Sequence, residues 1–286
     1  MTSAAVSPPP FERVGIAGIG LIGGSIALAI KRQWPSVRVI GVDVPAVAAA
    51  AVARHVIDEA RASVSELSNC DLVILAAPVT TIVGMCAECA GFDGLVADVG
   101  STKRRIMAAA RGAGIRRFVG SHPMAGKAEA GLEHAEASLF DGRPWLLVAG
   151  EESVEDLRRL SAFVSALGAA PAEIDAGRHD RLVAHVSHLP QLLATTLMAS
   201  AGEALGEPGL ALAGQGFADM TRLSSSPAAV WQGILATNAD FIAEAARDFV
   251  RRLPTTAEGL TDEGDVTALF DGANAWKARA RRAVAR

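Results

Sequence analysis

The chain has 286 residues, a formal net charge of −4, and 50% hydrophobic residues. This length and composition are typical of a globular protein with one large domain or two ordinary ones and a sizeable core. The weak negative charge and the scattered arginines exclude a basic face, so nucleic acid is not an expected partner.

The N-terminal segment lacks the features of a targeting signal. Residues 1–10 contain no basic residue and no continuous apolar run, so we predict a disordered tail over residues 1–11 rather than a signal peptide. The most apolar helical stretch, residues 189–214, is interrupted by Glu203, Glu207 and Pro208, too soon for a bilayer span. We therefore expect a cytoplasmic protein that does not enter a membrane.

A glycine-rich turn follows the first predicted strand, residues 14–17, and leads into a helix-compatible stretch over residues 21–30. Gly18, Gly20 and Gly23 have the GxGxxG spacing of a dinucleotide-binding turn. The first glycine permits the tight turn, the second lets the backbone approach a pyrophosphate, and the third lets helix and strand pack closely. The pyrophosphate would then lie on unpaired helix N–H groups.

An acidic residue ends the second predicted strand, residues 37–42. Asp43 lies 25 residues after Gly18, where a carboxylate accepts hydrogen bonds from ribose hydroxyls. The next three residues include no Arg or Lys to hold a 2′-phosphate, so we predict NAD rather than NADP. The alternative is a glycine turn beside a solvated aspartate in a protein that binds no nucleotide. The predicted cofactor-binding residues are Gly18, Gly20, Leu21, Ile22, Gly23, Asp43 and Pro78.

Strand-like and helix-like stretches alternate over the first part of the chain. The further strands are predicted at residues 72–76, 95–99, 115–120, 145–148 and, more weakly, 172–175, and the helices between strands at residues 46–54, 79–89, 103–112 and 153–167. This alternation predicts an α/β fold with a doubly wound parallel sheet, a Rossmann domain over residues 12–175.

The pattern becomes helical after about residue 175, with few β-branched runs. We predict an all-helical substrate and dimerisation domain over residues 176–286, broken near residues 206–209. The long apolar helices after Leu182 favour a homodimer. Substrate would bind in the cleft between the domains, at the carboxyl ends of the strands.

The cysteines and clustered histidines do not predict a metal site. Cys86 and Cys89 form a CxxC pattern, but no second pair and no nearby histidine completes it, so these thiols and Cys70 are predicted to be structural. His185 and His188 share a helix face, but no carboxylate or thiolate is placed to complete a metal shell.

Two predicted loops at the carboxyl ends of strands carry polar groups beside the expected nicotinamide. Ser101 lies in the loop after the fourth strand, where by itself it is better explained as a helix N-cap. His122 lies on a proline-flanked loop after the fifth strand, and a neutral imidazole there can act as the general base that a dehydrogenase needs.

A set of motifs in a fixed order resembles the prephenate/arogenate dehydrogenase family. The motifs are Gly-Ser-Thr-Lys at residues 100–103, Gly-Ser-His-Pro-Met-Ala-Gly at 120–126, His-Asp at 179–180, Ser-His-Leu-Pro at 187–190, Gly-Phe-Ala-Asp-Met-Thr-Arg at 216–222, Ser-Pro at 226–227 and Trp231. The resemblance implies a Rossmann domain, a helical dimerisation domain, and NAD-dependent oxidative decarboxylation of a cyclohexadienyl acid in tyrosine biosynthesis.

The resemblance also implies roles for single residues. His122 is similar to the catalytic histidine that hydrogen-bonds the C4 hydroxyl, and Ser101 to the serine that assists it. Arg222 resembles the arginine that holds a substrate carboxylate, a role that suits a bidentate, permanently charged guanidinium. His188 and Trp231 are expected at the substrate end of the cleft.

Two positions depart from the family pattern. Gln191 stands where many relatives have a second histidine, and Ala218 stands where they often have a basic residue. Both departures are expected near the variable end of the substrate. They leave open whether the keto acid prephenate or the amino acid arogenate is preferred, or whether both are accepted.

Two alternative hypotheses about the function remain. A hydroxyacid dehydrogenase of similar architecture usually relies on a lysine in its helical domain, and no lysine occurs between Lys127 and Lys277. A non-catalytic NAD-binding regulator would be expected to lack some of Ser101, His122 and Arg222, but all three are present.

Overall fold

A computed structural model describes residues 8–127, 129–149 and 154–284. The chain divides into two compact units, Met1–Ala239 and Asp240–Arg286. Most of the predicted tail lies outside the described residues. Phe11, which the prediction includes in that tail, is buried and packs edge-on against Phe163.

The described residues of the first unit form one sheet of eight strands in the order β3-β2-β1-β4-β5-β6-β7-β8. All neighbouring strands are parallel except β6 and β7. The α/β doubly wound fold is therefore confirmed. The strands are β1 (Arg13–Ala17), β2 (Arg38–Val42), β3 (Glu59–Arg61), β4 (Leu72–Leu75), β5 (Leu95–Asp98), β6 (Phe118–Pro123), β7 (Pro144–Ala149) and β8 (Ala170–Glu173).

Two features of the sheet differ from the sequence prediction. Strand β3 was not predicted, because its three residues, Glu-Ala-Arg, have low strand propensity and lie at the sheet edge. The sheet is also not wholly parallel, since β7 runs antiparallel to β6. A parallel return needs a crossover element, usually a helix, whereas the described residues between β6 and β7 contain only the 3₁₀ turn Leu132–His134.

Helices lie between most of the strands. The helices predicted over residues 46–54 and 103–112 are found at almost the same positions, whereas the one predicted over residues 79–89 ends early and continues as a 3₁₀ turn, Cys86–Cys89. Ser153, predicted to begin a helix, lies outside the described residues. The helices are α1 (Leu21–Gln33), α2 (Pro45–Ala53), α3 (Val79–Met85), α4 (Arg104–Gly112) and α5 (Val154–Ala166).

Helices dominate the chain after β8. Four of them complete the first unit: α6 (Ala176–Val183), α7 (Leu189–Leu210), α8 (Gln215–Thr221) and α9 (Ala228–Thr237). Helix α7 is interrupted at Gly206, whose φ of 62° explains the predicted break there. The second unit contains most of α10 (Ala239–Glu258) and all of α11 (Glu263–Val284).

Apolar clusters cover both faces of the sheet. Val14 and Ile16 of β1 belong to one cluster, and Ala17 with Val73 and Leu75 belongs to the other. Because both faces are buried, the central strands are nearly continuous apolar runs, which is why they could be recognised in the sequence.

The three cysteines are buried and free. Burial raises the pKa of Cys70 and Cys86 to about 11 and that of Cys89 to about 12, so the thiols stay protonated near neutral pH. Their prediction as structural thiols is confirmed. Among the helices of the described residues, none is both long and apolar enough to traverse a lipid bilayer.

Candidate active site

The glycine turn after β1 has the geometry that a dinucleotide needs. Gly18 has a φ of +100°, and a Cβ there would lie 2.3 Å from the backbone oxygen of Ala76. A Cβ on Gly23 would lie 1.9 Å from the oxygen of Gly18, so α1 packs directly on the turn. A Cβ on Gly20 would meet no protein atom within 4 Å, which leaves space for a ligand against this backbone.

The start of α1 is open to an anion. Its N-cap residue is Gly20, no side chain caps the helix, and no acidic residue lies in its first turn. The first two helical residues, Leu21 and Ile22, are half-buried, and Pro78 is exposed at the N-cap of α3, after β4. The backbone N–H groups and the helix dipole together suit a pyrophosphate.

Asp43 lies beside the same turn, at the end of β2. One carboxylate oxygen accepts a hydrogen bond of 2.6 Å from the backbone N–H of Ile19, and the other accepts one of 2.7 Å from Val44. Asp43 is thus tied to the glycine turn, and the exposed residues after it, Val44 and Pro45, carry no cation. This chemistry fits a ribose diol better than a 2′-phosphate.

Replacing Gly20 by alanine should weaken dinucleotide binding without unfolding the protein. The backbone of Gly20 (φ −83°, ψ −153°) is allowed for alanine, and the new methyl group meets only the space left for the ligand. We expect the Kd for NAD, measured by fluorescence titration, to rise about tenfold, and the Tm to stay within about 2 °C. Gly84→Ala is the matched control, because a Cβ there also meets nothing. Equal Kd values for the two variants would exclude Gly20 from the cofactor site.

His122 lies on a strand rather than in the predicted loop. Strand β6 extends to Pro123 because β7 pairs with it, and His122 is opposite Leu146. The loop prediction is therefore wrong, since the antiparallel partner that lengthens β6 comes later in the chain. His122 is half-buried, and its place at the carboxyl end of a paired strand gives it a rigid backbone.

The ring of His122 begins a hydrogen-bonded chain. Its Nδ1 lies 3.0 Å from Nε2 of His179, and Nδ1 of His179 lies 2.8 Å from Oδ1 of Asp180. An ionised carboxylate only accepts, so His179 Nδ1 donates to Asp180 and a neutral His179 ring accepts at Nε2. His122 must then donate from Nδ1. The lone pair of a neutral His122 therefore lies on Nε2, where a general base needs it.

Asp180 also caps a helix. Its two carboxylate oxygens accept hydrogen bonds from the backbone N–H groups of Lys103 (2.6 Å) and Arg104 (3.0 Å), at the start of α4. Burial raises the pKa of Asp180, but hydrogen bonds from His179, Arg104 and Lys103 outweigh it and hold the pKa below its usual value. The carboxylate therefore stays ionised and connects α4 of the Rossmann part with α6.

A buried ion pair joins the ends of β5 and β6. The ammonium of Lys103 contacts Asp98 and donates a hydrogen bond of 2.6 Å to the carbonyl oxygen of Ser121. Asp98 also accepts from the backbone N–H groups of Gly100 (2.7 Å) and Ser121 (3.0 Å). Because Ser121 precedes His122, these contacts hold the base in place.

The electrostatic surroundings keep His122 neutral. Burial lowers its pKa well below 6.5, and the charge of Lys103 and the neighbouring His179 and His188 lower it further. An imidazole that is neutral at physiological pH can accept a proton.

Ser101 lies half-buried between β5 and α4. Helix α4 begins at Arg104, and its N-cap, Lys103, has no side-chain capping bond, so the interpretation of Ser101 as a helix cap is wrong. That leaves the hydroxyl available for the assisting role, which stays a prediction.

A π-helical segment connects α6 and α7. It spans Ala184–His188 and ends with the first two residues of the Ser-His-Leu-Pro motif. One extra residue in a helical turn changes the phase by about 100°, which turns His188 back towards the side of Asp180. His188 is 1% exposed, and its ring meets Trp231 edge-on at a centroid distance of 6.0 Å.

Gln191 braces the segment that carries Arg222. Its amide nitrogen donates to the carbonyl oxygen of Leu223 (2.8 Å), and its amide oxygen accepts from Ser226 (3.3 Å). Arg222 begins a 3₁₀ turn after α8 and is exposed. In the described part of the chain its guanidinium has no ion-pair partner, and its role in binding a substrate carboxylate stays a prediction.

Four residues of the site had no assigned role in the sequence analysis. His179 and Asp180 were quoted as a motif, Lys103 was noted only in Gly-Ser-Thr-Lys, and Asn238 was not singled out. All four are fully buried. The only signal in the sequence was the adjacent pair His179 and Asp180 within an otherwise helical pattern. The residues that the structure describes contain no group of three His, Cys, Asp or Glu side chains placed to hold a metal ion.

Comparison with known proteins gives matches over most of the chain. Residues 26–172 match the family model "Prephenate dehydrogenase, nucleotide-binding domain", and residues 175–272 match "Prephenate dehydrogenase, dimerization domain". A prephenate dehydrogenase of Lactococcus lactis is 34% identical over 259 residues, which cover 87% of this chain and 72% of the relative. This chain belongs to the prephenate dehydrogenase family.

Two solved structures of such enzymes have the same fold as this family member. Prephenate dehydrogenase from A. aeolicus, in complex with hydroxyphenyl propionate and NAD+, has a TM-score of 0.86 and 25% identity, covering 97% of this chain and 99% of that one. Synechocystis arogenate dehydrogenase has a TM-score of 0.82 and 25% identity, covering 93% and 99%. The prephenate dehydrogenase models include Ser101, His122 and Arg222 but begin after the glycine turn, whose role rests on its geometry.

Proposed function

We propose that this protein is an NAD-dependent prephenate dehydrogenase that converts prephenate to 4-hydroxyphenylpyruvate and CO2 in tyrosine biosynthesis. The observation that carries the proposal is the hydrogen-bonded chain from His122 to Asp180, which leaves the lone pair of His122 on Nε2. Family membership supports the substrate class, and the glycine turn with Asp43 supports the cofactor. We expect the reaction to take place in the cytoplasm.

The chain's own residues supply positioning and a base. NAD, held by the glycine turn and Asp43, would supply the hydride acceptor for the ring carbon that bears the hydroxyl. His122 takes the hydroxyl proton at Nε2, and its Nδ1–H donates to His179, which Asp180 stabilises. Loss of the ring carboxylate as CO2 then leaves a phenolate, which takes the proton back from Nε2 of His122 and becomes the phenol. General-base assistance of this kind contributes about 10²- to 10⁴-fold.

Steady-state kinetics test the proposal. We expect NADH formation with prephenate and NAD, and little reduction of NADP, because Asp43 would repel a 2′-phosphate. The second candidate is an arogenate or dual-specificity dehydrogenase, because Gln191 and Ala218 depart from the family pattern near the expected variable end of the substrate. Turnover of arogenate would support that candidate, and no turnover of either acid would reject both and favour a non-catalytic regulator.

Asp180→Asn should lower kcat about 10²-fold. Both carboxylate oxygens accept hydrogen bonds, whereas an amide has one accepting oxygen and one donating nitrogen, so it cannot accept from both helix N–H groups and from His179. His179 would then carry its proton on Nε2. His122 would then accept at Nδ1 and lose the free lone pair at Nε2. The Kd for NAD serves as the control, because Asp180 lies outside the glycine turn. A kcat within twofold of the wild type would exclude this chain of hydrogen bonds from catalysis.

Arg222→Gln should raise KM for prephenate more than tenfold and leave the Kd for NAD unchanged, because a carboxylate loses its charged bidentate partner. Arg222→Lys is the matched variant, which keeps the charge and loses the planar fork. We expect an intermediate KM for lysine. An unaltered KM in the glutamine variant would remove Arg222 from the substrate site.

We further propose that two copies of the chain associate through the helical part. Large apolar side chains are exposed on its helices, and the matching family model is named as a dimerization domain. Sedimentation velocity should give the mass of a homodimer, and a monomer at micromolar concentration would contradict this. The exposed residues include Leu205, Met220, Val230, Phe270 and Trp276.

A further inference from the structure

Asn238 occupies a buried position at the end of α9 where three groups converge on its amide. It is the C-cap residue of that helix and has no exposed surface. Its amide oxygen accepts a hydrogen bond of 3.1 Å from the guanidinium of Arg104. Its amide nitrogen donates one of 2.8 Å to the carbonyl oxygen of Asp180 and lies 3.2 Å from Nδ1 of His188.

These partners determine which way the amide points. A guanidinium can only donate, so the Asn238 atom beside Arg104 must be the oxygen. A backbone carbonyl can only accept, so the atom beside Asp180 must be the nitrogen. The group that faces His188 is therefore an N–H donor, and Nδ1 of His188 must accept. The proton of the neutral ring is thus confined to Nε2.

The surroundings of His188 keep this ring neutral. Burial lowers its pKa to about 4 and outweighs the opposing effect of Asp180, and His179 lowers the pKa a little further. In the described part of the chain, every side-chain nitrogen or oxygen that is fully shielded has a hydrogen-bond partner, and His188 bonds through Nδ1. Nε2 of His188 has no such partner among the described residues, so this atom is not fully shielded. Its N–H is the polar group of the ring that remains open to a ligand.

We propose, resting on the function above, that Asn238 is a positioning residue that holds His188 as an Nε2–H donor to the ring carboxylate of the substrate. That carboxylate leaves as uncharged CO2. A cation bound to it would stabilise the ground state more than the transition state and slow the reaction, whereas a neutral donor orients it at a lower cost. The two roles are thus separate. The charged Arg222 binds the carboxylate that remains in the product, and the neutral His188 orients the carboxylate that leaves as CO2.

The first test needs no substrate. Nitrogen-15 NMR of the histidine-labelled protein at pH 7 should show His188, assigned by its loss in His188→Gln, protonated at Nε2 and unprotonated at Nδ1. In Asn238→Leu, which cannot donate, the two nitrogen shifts should move towards averaged values. A wild-type His188 protonated at Nδ1, or one that Asn238→Leu leaves unchanged, would overturn the proposal whether or not the enzyme turns over prephenate.

The second test compares two amides in place of His188. The side-chain nitrogen of glutamine lies near the position of Nε2, and that of asparagine near Nδ1. His188→Gln should keep kcat/KM for prephenate within about fivefold, and His188→Asn should lose more than about tenfold, mainly in KM. Equal losses would overturn the assignment of the donor. If either variant fails to fold, the NMR comparison of the wild type with Asn238→Leu still decides.

Discussion

Replacing His122 by asparagine should lower kcat by about 10³-fold and leave the Kd for NAD nearly unchanged. Asparagine can still hydrogen-bond His179 from its amide nitrogen, but it has no basic atom at the position of Nε2. The hydroxyl proton then has no acceptor when the hydride leaves. Stopped-flow or steady-state NADH formation measures the loss, and a simultaneous loss of NAD binding would mean that His122 is structural.

The pH dependence of the wild type tests the same residue. Burial lowers the pKa of His122 well below 6.5, so the neutral, active form persists as the pH falls through 6.5. We expect kcat/KM to stay level from neutral pH down through 6.5 and to decline only below it. A decline centred at 7 or above would show that another group, or a charged His122, limits the reaction.

Lys103→Met should lower the free energy of unfolding by about 3 to 5 kcal/mol. Lys103 and Asp98 are both fully buried, and the methionine variant leaves the Asp98 carboxylate without its cation. Burial lowers the pKa of Lys103 despite the attraction of Asp98, so the pair adds little stability by itself. The cost arises from breaking it. Urea unfolding measures the loss.

The double variant Lys103→Met, Asp98→Asn is the control for this prediction. It removes both charges, and it should recover part of the lost stability, because no ionised group is left unpaired. The single variant should also raise the pKa of His122, since the charge of Lys103 lowers it. If the free energy of unfolding of Lys103→Met lay within about 1 kcal/mol of the wild-type value, the Lys103–Asp98 ion pair would not be required for stability.

The nucleotide half of the site could be predicted from the sequence because its constraints are local. Gly18, Gly20 and Gly23 are required by a turn of only a few residues, and the apolar run of β1 indicates a buried strand. Asp43 follows from the end of the next strand. Each of these signals is read within one element and needs no knowledge of its neighbours.

The rest of the site depends on partners that are distant in the chain. His122 and His179 are 57 residues apart, and Asn238 is 58 residues from Asp180. Lys103 has the composition of a surface residue, and only the fold shows that it is buried. The length of β6 likewise depends on β7. Periodicity and spacing carry no information about such contacts.

The π-helical segment at Ala184–His188 absorbs one extra residue between α6 and α7. If this segment became a regular helix with no residue removed, everything after it would turn by about 100°. His188 would then leave Asn238, and Gln191 would leave Leu223. Related sequences that keep the π turn should therefore vary freely at the exposed positions His185 and Val186, and those that lack it should have one residue fewer between the two histidines of the site, 179 and 188.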